Sequence, residues 1–144
     1  MNTIHYKILR YLPDRVAGEF VNLGVVVFDP KNQILKSKFI TEPANLLHFF
    51  PNINRIYLIE SIKTIQHDLK IFSARLVSEF PLNKAYTIDQ ITRSILAADD
   101  SALFFSETRK TLDDDISLII EDLFSRFVKL TLDEQGEEMR MHQG

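Results

Sequence analysis

The stretch Arg10–Pro30, RYLPDRVAGEFVNLGVVVFDP, decides how the rest of the chain is read. Pro13 and Asp14 suit the start of a turn, and Gly18 can take a positive φ at its end. After the turn, EFVNLGVVVF (residues 19–28) is rich in β-branched residues and predicts a strand. Before it, IHYKILRYL (4–12) alternates with period two. One face of that strand carries Ile4, Tyr6, Ile8, Arg10 and Leu12, and the other His5, Lys7, Leu9 and Tyr11. DPKNQ closes the second strand, with Pro30 pre-setting φ and Asn32 tolerant of the left-handed region, and ILKSKFI (34–40) supplies a third. Three strands joined by short turns predict an antiparallel meander.

The period then changes. TEPANLLHFF predicts a short helix capped by Thr41 and ended by Pro51 and Asn52. From Asn54 to Phe80, Leu58, Ile62, Ile65, Leu69, Phe72 and Leu76 recur at alternating spacings of four and three, which is one face of a long helix. That stripe either covers the exposed meander or zips two copies together, and covering is the preferred reading because a lone three-stranded sheet needs a partner layer. Thr87 and Gln90 form a capping-box pattern opening another helix. ALFFSETRK carries a fourth strand near 103–107. LDDDISLIIEDLFSRFVKL predicts a final helix with Ile116, Ile119, Ile120, Leu123, Phe127 and Leu130 on its apolar face. The expected fold class is therefore α+β: an N-terminal three-stranded antiparallel meander, with that fourth strand, covered by a long helix and a C-terminal helix. Residues 1–130 form one domain and 131–144 a flexible tail.

Composition narrows the function classes. The chain has 144 residues, 45% hydrophobic and 26% charged, as soluble globular domains do. It has no cysteine, which excludes disulfides, thiolate zinc sites and cysteine nucleophiles. No apolar run approaches the roughly 20 residues of a membrane span, and the N-terminus lacks a signal-peptide apolar core, so a cytoplasmic location is expected. Net charge is −3, with six basic and three acidic residues in 1–40 against three basic and nine acidic in 111–144. The basic N-terminal part suits an anionic partner, or simply attracts the acidic end, but a pI near 5.8 argues against a dedicated nucleic-acid binder.

Few residues carry chemistry. Asp113, Asp114 and Asp115 offer hard oxygen ligands, but neighbouring helical side chains diverge by about 100°, and acids opening a helix are favoured by capping and the macrodipole. His5, His48 and His67 stand in no ligand motif, and no phosphate loop or nucleophile elbow appears. No metal and no cofactor is expected. What remains is a polar cluster on the hairpin. Arg10 sits on an otherwise apolar face, and Asn22 interrupts an apolar strand with Gly24 two positions along on the same face. Either Glu19 or Asp14 pairs with Arg10 as a structural ion pair, or the group is an anion site that Gly24 lets a ligand approach. Arg109 is placed to join either arrangement. The candidate site is Arg10, Asp14, Glu19, Asn22 and Arg109.

Arg10, Tyr11, Pro13, Asp14, Gly18, Glu19, Phe20, Asn22, Gly24, Val25, Val26 and Phe28 resemble the opening block R-Y-x-P-D-x-x-x-G-E-F-x-N-x-G-V-V-x-F of a bacterial family defined only as a domain of unknown function. The resemblance continues more weakly into LFFSETRKTLDDD, where Thr108 stands in place of a common proline. It implies no activity. Members resemble small proteins encoded beside kinases of the persistence-toxin type, which implies a partner role in a toxin–antitoxin or defence-like module. The first functional expectation is a non-enzymatic protein-interaction module whose partner is such a kinase. The alternative is a small enzyme or a nucleotide- or nucleic-acid-binding protein using the Arg/Glu/Asn cluster. The third is a homodimer through the 58–76 stripe.

Overall fold

A computed structural model describes residues 2–14, 18–41, 54–79, 85–96, 102–113 and 115–129, with the side chains of Pro13, Asp14 and Glu19 excepted. The short helix expected after Thr41 and the tail 131–144 lie outside the described residues. Strands β1 (Asn2–Asp14), β2 (Glu19–Asp29) and β3 (Ile34–Phe39) form the expected antiparallel meander. Helix α1 (Arg55–Glu79) follows, then α2 (Ile88–Ile95), and the chain returns to the sheet as β4 (Leu103–Phe105) and β5 (Arg109–Asp113). Helix α3 (Ile116–Phe124) and a π-helical turn (Ser125–Lys129) complete the described chain. The fold is α+β, and among the described residues no helix is long and apolar enough to cross a membrane.

The sheet runs β3-β2-β1-β4, with β5 also on β1. Both late strands line the same side of β1: β4 against Leu9–Tyr11 and β5 against Asn2–Tyr6. Between them the Ser106 amide donates to the Ile8 carbonyl at 2.8 Å, and the Ser106 hydroxyl accepts from the Ile8 amide at 2.9 Å. A side-chain oxygen thus stands in for a ladder carbonyl, which keeps a fully buried N–H satisfied where the strand breaks. The expected fourth strand is confirmed and is followed by a fifth. Leu112 and Asp113, read from the sequence as the start of the last helix, belong to β5 instead. Helix α3 begins three residues later, where Asp115 Oδ1 accepts from the Ser117 and Leu118 amides. Capping explains that aspartate, and Asp113 Oδ1 in turn accepts from the Asp115 amide.

Two apolar layers sandwich the sheet. On one face Leu9, Tyr11, Leu23, Val26 and Phe28 pack beneath α1 and α2, and the stripe Leu58, Ile62, Ile65, Leu69 and Leu76 is buried there, with Phe72 partly so. The 58–76 stripe is therefore occupied by the chain's own sheet. On the other face Ile4, Tyr6, Val25 and Val27 pack beneath Ile119, Ile120, Leu123, Phe124 and Val128. Double-sided cover is why β2 reads as a continuous apolar run rather than an alternation. Thr87 and Gln90 make the capping box of α2 as the spacing predicts.

Turn chemistry holds in part. Gly18 takes φ +72°, but in the β2–β3 turn the left-handed residue is Gln33 (φ 54°), not Asn32. Asn32 instead donates from both its amides to the Asp29 carboxylate. Gln33 is buried, donating to the Pro30 carbonyl and accepting from the Tyr86 amide, so the turn is tied to the segment that leads into α2.

Candidate functional site

The hairpin register fixes which side chains meet. Leu9 pairs with Gly24 but Arg10 pairs with Asn22, so Leu23 is an extra residue in β2, a β-bulge. Arg10 and Asn22 therefore share the face covered by α3, together with Phe20, while Gly24 lies on the opposite face beneath α1. This corrects the placement of Gly24 beside Asn22, which holds only for a strand without a bulge. Gly24 serves packing: a Cβ there would collide with the Cγ–Cδ1 edge of the Phe39 ring and lie 2.7 Å from the Lys38 carbonyl oxygen.

Asn22 is buried and uses both ends of its amide. Its Oδ1 accepts from Arg10 Nε at 3.3 Å, and its Nδ2 donates to the Phe127 carbonyl at 2.8 Å. That carbonyl belongs to the π-helical turn, whose wider winding departs from the regular i→i−4 ladder. The Arg10 guanidinium lies over the Phe20 ring, 4.5 Å from its centroid. Across β1, Arg109 in β5 lies opposite Tyr6 and stacks its guanidinium over Phe127 at 5.4 Å, while its Nε donates to Glu107 at 3.1 Å. Tyr6 and Phe127 are themselves in ring contact, with centroids 6.1 Å apart.

Electrostatics tie the two arginines together. Partial burial, and then the neighbouring positive charge of Arg109, lower the Arg10 pKa below the usual guanidinium value, while Glu107 acts in the opposite sense. Glu107 is held below the usual carboxylate range, first by its own backbone amide and then by Arg109. The result is two planar cations on aromatic platforms with one exposed carboxylate between them. Such forks match carboxylate and phosphate oxygens, and stacked guanidinium groups are pre-organised for that contact.

Three of the five expected residues, Arg10, Asn22 and Arg109, are thus brought onto one face. Asp14 and Glu19 pair with each other in the backbone ladder four residues along β1 from Arg10, and their side chains lie outside the described residues. Among the described residues Arg10 is in no salt bridge; its polar partner is the neutral Asn22. Phe20, Phe127 and Glu107 were not anticipated. Phe20 shares the parity of Asn22 and was legible on that ground, whereas nothing in the sequence signals that the π-helical turn delivers Phe127.

A second polar group occupies the other face of β1. Lys7, nearly buried, pairs with Asp89 of α2 at 2.7 Å, and Thr108 donates to the same carboxylate at 2.9 Å. The hydrogen bond from Lys7 is the main reason the Asp89 pKa is lowered. Nearby, burial and then Lys110 lower the His5 pKa. Among the described residues no three His, Asp or Glu side chains converge as a metal site.

A family model described as "Protein of unknown function (DUF3037)" matches residues 6–128. No curated protein and no solved structure matches the chain. The match covers most of the sequence, both faces of the sheet and every residue of the arginine cluster, and the chain belongs to that family.

Proposed function

We propose that this family member is a non-enzymatic interaction module that grips an anionic group of a protein partner between Arg10 and Arg109. The observation that supports this most is the way the cations are held. Asn22 fixes Arg10 from one side and the Phe20 ring from another, while Phe127 underlies Arg109 and the exposed Glu107 accepts from its Nε, so both forks are oriented and two guanidinium groups share one carboxylate. A partner carboxylate or phosphate would be met by pre-oriented donors, which limits the side-chain entropy lost on binding. The partner suggested by the resemblance is a kinase of the persistence-toxin type encoded beside the gene, which would make the module part of a toxin–antitoxin or defence-like pair.

The test is co-expression of the tagged chain with that neighbouring kinase, repeated with Arg109→Gln alone and with Arg10→Gln/Arg109→Gln. The expected result is a complex whose affinity falls at least tenfold in the double variant, and whose wild-type affinity weakens as salt is raised. Arg109→Gln guards against loss of fold, because that side chain is about one-third exposed. Undiminished binding by a folded double variant would refute the role of the arginines. A lone monomer in the presence of the kinase, with a thermal shift on adding nucleotides, would favour the small-ligand alternative.

A further inference from the structure

The opposite edge of the sheet carries a second feature. Strand β3 is the terminal strand and pairs only with β2 among the described residues. The Ile40 amide donates to the Leu23 carbonyl, and continuing that register through Lys38↔Val25 and Lys36↔Val27 turns the amides of residues 36 and 38 inward. The N–H and C=O groups of Leu35, Ser37 and Phe39 therefore point outward. The Ser73 hydroxyl of α1 donates to one of them, the Leu35 carbonyl, at 3.0 Å, which confirms the phase.

A groove of about 300 Å³ runs along this edge. Its α1 wall is Leu69, Lys70 and Ser73, and its α3 wall is Ile120 and Glu121. Lys36 and Lys38 share the α3 face of β3, while Leu35 lies on the α1 face. Lys38 pairs with Glu121 and Lys36 donates to the Ser117 hydroxyl at 2.7 Å, so three lysines face one carboxylate around the groove.

We propose that the β3 edge accepts an extended acidic segment of a partner protein as an added strand. Strand addition uses the outward amides and carbonyls for affinity and the alternating side chains for selectivity. Alternation makes the chemistry specific. Apolar residues of the incoming segment turn toward Leu69, and its acids turn toward Lys36 and Lys38 on the same-face positions of the neighbouring strand. A second copy of this chain is disfavoured as occupant, because β3 against β3 brings lysine rows together. The inference stands apart from the arginine cluster, whose guanidinium groups are carried by β1 and β5 away from this edge.

The experiment uses two acetylated, amidated heptapeptides, EVDVEVD and KVKVKVK, titrated into the isotope-labelled full chain. The acidic peptide is expected to bind, with amide shifts centred on Ser37 and Phe39. Ser37→Pro removes an outward donor without touching the β2 ladder, so it is expected to keep the melting temperature and weaken binding at least tenfold. Arg10→Gln/Arg109→Gln is expected to bind the peptide as wild type does. Equal binding of the lysine peptide, unchanged binding by a folded Ser37→Pro protein, or no binding at millimolar peptide would each overturn the proposal. So would a dimer in light scattering whose β3 amides are already protected without peptide.

Discussion

Gly24→Ala tests the bulged register and, with it, the division of labour between the two faces of the hairpin. The added methyl would meet Phe39 at its inner ring atoms, Cγ and Cδ1, and the Lys38 carbonyl oxygen at 2.7 Å. Neither neighbour is the free end of a flexible side chain. The ring is nine-tenths or more buried in the α1 layer, and the carbonyl belongs to a strand paired on that side. Overpacking of this kind costs about 1–3 kcal/mol, and the backbone contact places Gly24→Ala in the upper half of that range. Gly24 is not at positive φ, so the loss of unfolded-state freedom returns roughly 0.4–1 kcal/mol. The net destabilisation is about 1–2.5 kcal/mol, a fall of roughly 3–10 °C in melting temperature for a chain of this size. Urea unfolding and thermal melts measure it. Phe39→Leu should make the added methyl less costly, so the double variant should be more stable than the two single changes predict by addition. A Gly24→Ala protein within 0.5 kcal/mol of wild type would refute the packing account. A stable Gly24→Ala protein that has lost its anionic partner would return Gly24 to the ligand side.

Three further outcomes are expected. Asn22→Leu removes the side-chain donor to the Phe127 carbonyl and the acceptor of Arg10 Nε; it should destabilise by about 1–3 kcal/mol in urea unfolding and weaken binding of the proposed partner even when folded. Asp89→Asn removes the counter-charge of a nearly buried ammonium and should cost about 1–3 kcal/mol, the half-exposed carboxylate keeping it below the fully buried range, whereas Lys7→Met in that background should recover most of the loss. On acidification, His5 and Asp89 act in the same sense. Both folded pKa values are depressed, so the unfolded chain takes up the proton first and stability is lost as pH falls through the folded values. A decline starting below about pH 6.5 belongs to His5 and should flatten in His5→Gln, and a further decline below about pH 3.8 belongs to Asp89 and should vanish in Asp89→Asn.

The parts of the fold legible in the sequence were those with one dominant period. The meander, the 58–76 stripe and the Thr87–Gln90 box each satisfy a local rule that tertiary packing then reinforces. Strand β5 was illegible because RKTLD has no apolar alternation; its place is set by the unpaired N-terminal half of β1, and the aspartates at 113–115 mimic a helix start one turn early. The bulge at Leu23 was hidden for a different reason. Leu23, Val25, Val26 and Val27 are all apolar in a strand covered on both faces, so no polar residue marks where the parity slips. Arg10 and Asn22 were readable because a charge and an amide stood out against that background. Phe127 was not, since its position depends on a π-helical turn.

Strand β1 carries two cations into the middle of a sheet, and the contrast between them is what supports the proposed site. Lys7 points toward α2 and meets a carboxylate that also holds Thr108, so its charge is matched at short range and its hydrogen bonding is built into the fold. Arg10 points toward α3 and meets an amide and a phenyl ring; burial, and then the neighbouring Arg109, lower its pKa, while Glu107 acts in the opposite sense. A purely structural cation gains most from the first arrangement, because an opposite charge offsets desolvation directly. The second arrangement orients a fork and sets two guanidinium groups against the single exposed carboxylate of Glu107, a layout that becomes more favourable when a further anion bridges them. That difference is measurable as salt dependence: the stability contributed by Lys7–Asp89 should change little between low and high ionic strength, whereas affinity for a partner held by Arg10 and Arg109 should fall steeply.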